Sequence, residues 1–170
     1  MKKSFSALLI TALLFAFEVL PAATHAAEPQ TGVSPERLEE AKKYYIESGI
    51  TGFKVGIKIA GNRELSPRQI ALARKLIAVW MDDDLIPFLR ENSVLEEWVA
   101  LQFDPEIQEL NRKAANATTR EEIMKTAGKG FELMTTRYSN FNSKVNTPAG
   151  ARVMQKFQRI LMQVMTGTAE

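Results

Sequence analysis

A side-chain oxygen followed directly by proline recurs along the chain, at Ser34-Pro35, Ser66-Pro67, Asp104-Pro105 and Thr147-Pro148. In each pair the first residue can accept from the free amides of a helix's first turn. Proline then takes the first helical position, where its missing N–H costs no bond and its fixed φ suits the helix. Thr118 with Glu121, or Thr119 with Glu122, offers a reciprocal capping box. Five helix starts are therefore written into the chain, and an all-α fold is predicted.

The segments after these starts carry apolar residues at helical spacing. Leu38, Ala41 and Tyr45 share one face ahead of Gly49; Ile70, Ala73, Ile77 and Trp80 share a second; Ile123, Ala127, Phe131, Met134 and Tyr138 share a third. Val153, Phe157, Ile160, Leu161 and Val164 form a stripe that ends before Gly167. Ser66 and Gln69 can cap reciprocally while Leu65 packs on Ile70 as a hydrophobic staple, and Val33 and Leu38 repeat that spacing around Ser34. Residues 84–103 are helical in composition, with Pro87 near the first turn or kinking the helix. Residues 52–61 are ambiguous, because Phe53, Val55, Ile57 and Ile59 alternate with Lys54, Gly56 and Lys58 as in a strand. No second strand is in sight to satisfy its backbone, which favours a glycine-bearing helix packed closely on a neighbour over pairing with another chain. The expectation is a single helical domain over residues 34–170, a bundle of five or six amphipathic helices behind a flexible leader at 27–33.

Ahead of that domain, Met1, Lys2 and Lys3 precede an apolar run from Phe5 to Phe17, then Pro21 and the small residues around Thr24-His25-Ala26. This is the layout of a secretory signal peptide over residues 1–26, with cleavage after Ala26 and delivery to the bacterial periplasm or beyond. The run falls short of the ~20 residues that a membrane span needs. The chain has one histidine, His25, and no cysteine, so cleavage would leave neither imidazole nor thiol. Serine–histidine and cysteine hydrolases, thiol redox chemistry and zinc or copper(II) sites built on those ligands are then excluded. Carboxylate chemistry and hard cations remain. A net charge of +2 is too small to mark a nucleic-acid binder.

Several clusters invite a chemical reading. Asp82-Asp83-Asp84, with Glu91, Glu96 and Glu97 downstream, could hold calcium or magnesium if the oxygens converged, although consecutive helical residues point in different directions. Glu97 beside Trp98 is the candidate for a carboxylate in an apolar setting, as a glycosidase requires. Met154, Met162 and Met165 are candidate copper(I) thioethers or simply core. Gly128-Lys129-Gly130 lacks the strand and the ending of a phosphate loop. Lys54 with Lys58, and Arg152, Lys156 and Arg159, form basic rows suited to solvent, anionic lipid or an acidic partner.

Tyr138, Phe141, Thr147-Pro148-Ala149-Gly150 and the Met-bearing run to Met165 resemble the C-terminal part of an uncharacterised family of exported bacterial helical proteins, domain-of-unknown-function family 2059. The resemblance implies a signal peptide, an all-helical body and no known catalytic residues. Leu65-Ser66-Pro67-Arg68-Gln69 is similar to the Leu-Thr-x-x-Gln motif of the periplasmic stress chaperones related to Spy, which implies an exported helical protein that binds other proteins.

The function expected from these readings is non-catalytic and needs no cofactor. The protein would bind another protein or the envelope surface, chaperone-like in its sharpest form, along an apolar groove of Val153, Phe157, Leu161 and Met165 rimmed by Arg152, Lys156 and Arg159. The competing expectations are an enzyme using carboxylates or a hard cation, and a carrier of lipid or another small ligand distinguished by a closed apolar cavity.

Overall fold

The computed structural model describes residues 32–61 and 64–166. The expected signal peptide over residues 1–26, its cleavage site and most of the expected leader at 27–33 lie outside the described residues. Every described element is helical: α1 (Pro35–Ile59), α2 (Pro67–Trp80), a π-helical turn (Met81–Leu85), α3 (Ile86–Glu91), α4 (Leu95–Gln102), α5 (Pro105–Ala115), α6 (Arg120–Thr136), α7 (Ser139–Val145) and α8 (Pro148–Thr166). The all-α expectation holds among the described residues. The helices outnumber the expected five or six because 84–103 is divided and the short α7 stands alone.

Local chemistry explains the boundaries. Ser34 Oγ accepts from the Arg37 amide at 3.3 Å, and Asp104 Oδ1 accepts from Glu106 and Ile107 at 2.8 and 3.3 Å. The capping box that opens α6 is Thr119 with Glu122, and Glu122 also takes the Thr118 amide at 2.7 Å. Ser66 and Gln69 form the second complete box. Ser93 adopts a left-handed φ of 56°, which turns the chain between α3 and α4 and divides the single helix expected there.

α1 runs through Gly49, Gly52 and Gly56 without a break. The apparent strand period at 53–59 is overridden by a stronger helical one: Ile50, Phe53 and Ile57 are spaced three and four apart and all are buried. The glycine-bearing helix is therefore the observed answer for 52–59, followed by a turn at Ala60-Gly61.

The π turn lies just ahead of Pro87. Proline cannot donate, and in a regular helix its ring crowds the carbonyl four residues back, here Asp83. The widened turn, in which the Ile86 amide reaches Met81 O, loosens the backbone at that point and lets α2 continue into α3.

The helices close a circuit, with α1 on α2, α2 on α8, α8 on α7, α7 on α6, α6 on α5 and α5 back on α1. α2 and α8 run antiparallel and are tied near both ends. Trp80 Nε1 donates to Val153 O at 3.0 Å, and Gln69 Nε2 donates to Val164 O at 2.9 Å. Inside the circuit, Tyr45 meets Trp98 and Phe157 at centroid distances of 5.8 and 6.4 Å, and Trp80 meets Phe157 at 4.8 Å. Tilted aromatic pairs of this kind add about 0.5–1.5 kcal/mol each beyond the area they bury.

Candidate functional site: a central cavity

A cavity of about 150 Å³ lies inside the circuit. Its wall draws on α1, α4, α5, α6, α7 and α8, with Leu85 from the π turn. Small residues line part of the space: Ser48, Gly49 and Gly52 on α1, Ala114 on α5 and Ala127 on α6 leave volume that larger side chains would fill. Trp98, Leu101, Ile107, Met134, Phe141 and Phe157 complete an apolar wall.

The wall contains no Asp, Glu, Lys, Arg or His. Most of its polar groups are engaged within the protein: Ser48 Oγ donates to Tyr45 O at 3.1 Å, Asn111 Nδ2 to the Tyr44 hydroxyl at 3.3 Å, Gln102 Nε2 to Trp98 O at 3.2 Å and Thr126 Oγ1 to Glu122 O at 2.8 Å. Asn142 Oδ1 accepts from Asn146 Nδ2 at 3.1 Å. Burial pushes the Tyr45 phenol well above its ordinary pKa, so it is a neutral hydroxyl at any physiological pH.

Of the sequence candidates, Phe157 and Met154 reach the cavity wall, while the others lie outside it or take structural parts. Phe157 and Leu161 are buried in the core, at 1% and 6% exposure, while Val153 and Met165 are half-buried. The apolar face of α8 thus packs against α2 and the bundle interior. Arg152, Lys156 and Arg159 are exposed, and Lys156 is ion-paired with Asp84. Met154 is buried and Met162 is 53% exposed, so those thioethers lie on different sides of α8.

The acidic run at 82–84 is divided between two lysines, Asp82 pairing with Lys42 at 2.6 Å and Asp84 with Lys156. These contacts fasten α1 and α8 to the π turn. Glu97 Oε2 accepts from the Phe141 amide and from Asn140 Nδ2, both at 3.0 Å, so it caps α7 from a neighbouring helix. Among the described residues no three His, Cys, Asp or Glu side chains converge as metal ligands, and no helix is long and apolar enough to cross a membrane.

A buried polar junction was not foreseen from the sequence. Asp104 caps α5 and also accepts at Oδ2 from Arg137 Nη1 and the Tyr138 hydroxyl, each at 2.6 Å. Burial alone would raise the Asp104 carboxyl, but hydrogen bonds from Tyr138, Arg137 and the Glu106 and Ile107 amides outweigh it and hold the group at about 2. Tyr138, desolvated and donating to that carboxylate, is pushed up to about 12. Only the capping half of this junction, Asp104 with Pro105, is local in sequence.

No family model matches the chain, and neither a curated protein nor a solved structure matches it.

Proposed function

We propose that this is a non-catalytic helical protein that holds a small apolar molecule in its central cavity. The observation that carries the proposal is the cavity of about 150 Å³, walled mainly by apolar side chains and free of ionised ones. A mainly apolar pocket of about this size suits a benzene-sized molecule, whose burial removes apolar surface from water on both sides, and its wall is open enough to admit one. Ligand capture is preferred to a protein-docking groove along α8 because Phe157 and Leu161 already lie in the core. Catalysis is left out of the proposal because the acids that invited it, Asp82, Asp84 and Glu97, serve in ion pairs or a helix cap. In its full form the proposal is an exported bacterial carrier, acting in the periplasm after loss of residues 1–26.

The test is a thermal-shift and calorimetric titration of the purified protein with toluene, alongside Ala127→Leu and Ala114→Leu. Toluene should raise the melting temperature of the native sequence in proportion to the logarithm of its concentration above Kd. It should leave the filled variants unmoved while they stay folded. Absence of any toluene effect on the native protein would end the carrier reading.

A further inference from the structure

Tyr45 stands apart from the other polar residues of the cavity wall. Its ring is fixed among Trp80, Trp98 and Phe157, at centroid distances of 6.3, 5.8 and 6.4 Å, so the hydroxyl has little freedom to seek a partner elsewhere. No hydrogen bond reaches that hydroxyl from any described residue, although a phenol removed from bulk water ordinarily finds one. The sealed, unpartnered side-chain atom among the described residues is Asn146 Oδ1; the Tyr45 oxygen, equally without a partner, keeps open surface, and Tyr45 lines the cavity. Gln102, Asn111 and Asn142 each anchor one end of the side-chain amide on the protein and leave the other end without a partner among the described residues, whereas Tyr45 is the polar wall residue whose side chain makes no such bond at all.

Building on the carrier reading, we infer that the Tyr45 hydroxyl is the specificity-determining contact of the cavity, selecting a neutral ring-sized ligand that bears one hydrogen-bonding group, such as a phenol. The hydroxyl supplies one donor or acceptor at a fixed place, and the apolar wall accommodates the rest of the ligand. A carboxylate is rejected, since it would enter a wall with no cation to meet it and would lose its hydration. A pure hydrocarbon enters but leaves the tyrosine unsatisfied.

The experiment uses phenol, toluene and benzoate as probes with the full-length mature protein, read by calorimetry and by the fluorescence of Trp98, which lies in the wall. Phenol should bind about tenfold more tightly than toluene, and benzoate should not bind. Tyr45→Phe keeps the ring and its packing; it should abolish the preference for phenol while leaving toluene affinity within about twofold of the native value. Toluene binding without a phenol preference, a preference that survives in Tyr45→Phe, or benzoate binding as strong as phenol would each overturn the inference and leave the carrier reading standing. Failure of toluene to bind the native protein would overturn the two together. The ligand series on the native chain decides the matter even if the variant folds poorly.

Discussion

The Tyr138 hydroxyl donates to Asp104 Oδ2 over 2.6 Å, joining the start of α5 to the turn between α6 and α7. The oxygen on the other side of the same carboxylate caps α5, so one side chain holds two helix junctions. Hydrogen bonds to a buried charge are worth about 1.5–3 kcal/mol each. Tyr138→Phe is therefore expected to lower unfolding stability by about 2 kcal/mol, and Asp104→Asn by about 2–3 kcal/mol, as measured by urea denaturation at neutral pH.

The same junction sets a pH dependence. Asp104 is held at about 2 in the folded protein against an ordinary 3.8, so the native state favours its charged form. The stability this contributes is fully present above about pH 4 and is lost as pH falls through 3.8 toward 2. The stability difference between the native sequence and Asp104→Asn should shrink over that window and be constant above it. A constant difference from pH 5 down to pH 2 would refute the assignment.

Gly150 is expected to resist substitution. A Cβ there would run into the backbone of Val145, including its carbonyl oxygen, where α7 hands over to α8. Backbone cannot yield as a flexible side chain can, so Gly150→Ala should cost about 1–3 kcal/mol despite alanine's better helix propensity. Gly128→Ala, on an open face of α6, is the control and should stabilise by about 0.5–1 kcal/mol.

Gln69 has two tasks that can be separated. Its Oε1 accepts the Ser66 amide within the capping box, and its Nε2 reaches Val164 O on α8. Gln69→Glu keeps the first and loses the second; Gln69→Ala loses both. Denaturation should place Gln69→Glu about 1 kcal/mol below the native protein, with Gln69→Ala lower by about another 1 kcal/mol.

In the π turn, exposed Asp82 and half-buried Asp84 each pair with a lysine. Asp82→Asn and Asp84→Asn should each cost no more than about 1 kcal/mol, less at high salt. Millimolar calcium or magnesium should leave the melting temperature of the native protein unchanged. A cation-dependent rise lost in Asp82→Asn would reinstate the metal reading.

How much of this was legible in the chain follows the range of the interactions. The caps at Ser34, Ser66, Asp104 and Thr119 were readable because donor and acceptor lie within four residues of each other. The helical course of 52–59 was half-readable, since the alternation of Phe53, Val55, Ile57 and Ile59 competes with the helical spacing of Ile50, Phe53 and Ile57. Glu97 could not be identified as the cap of α7, because Asn140 and Phe141 lie far along the chain and only packing brings them to it. The stripe of α8 was correctly apolar, but a stripe does not say whether it meets solvent or α2. The cavity left a faint trace, in small residues at Ser48, Gly49, Gly52, Ala114 and Ala127 within otherwise amphipathic helices. That trace gains meaning only once α1, α5 and α6 are brought together.

The π turn carries a consequence for how this chain tolerates changes of length. Five residues there occupy a stretch that a straight helix would cover with one fewer, and the surplus coincides with the strain that Pro87 would otherwise impose. Removing Asp83 together with Pro87→Ala should therefore yield an unbroken rod from Pro67 to Glu91 with Phe88 and Leu89 still facing inward. A one-residue deletion in the middle of α2 would instead rotate everything downstream by about 100° and turn that face to water.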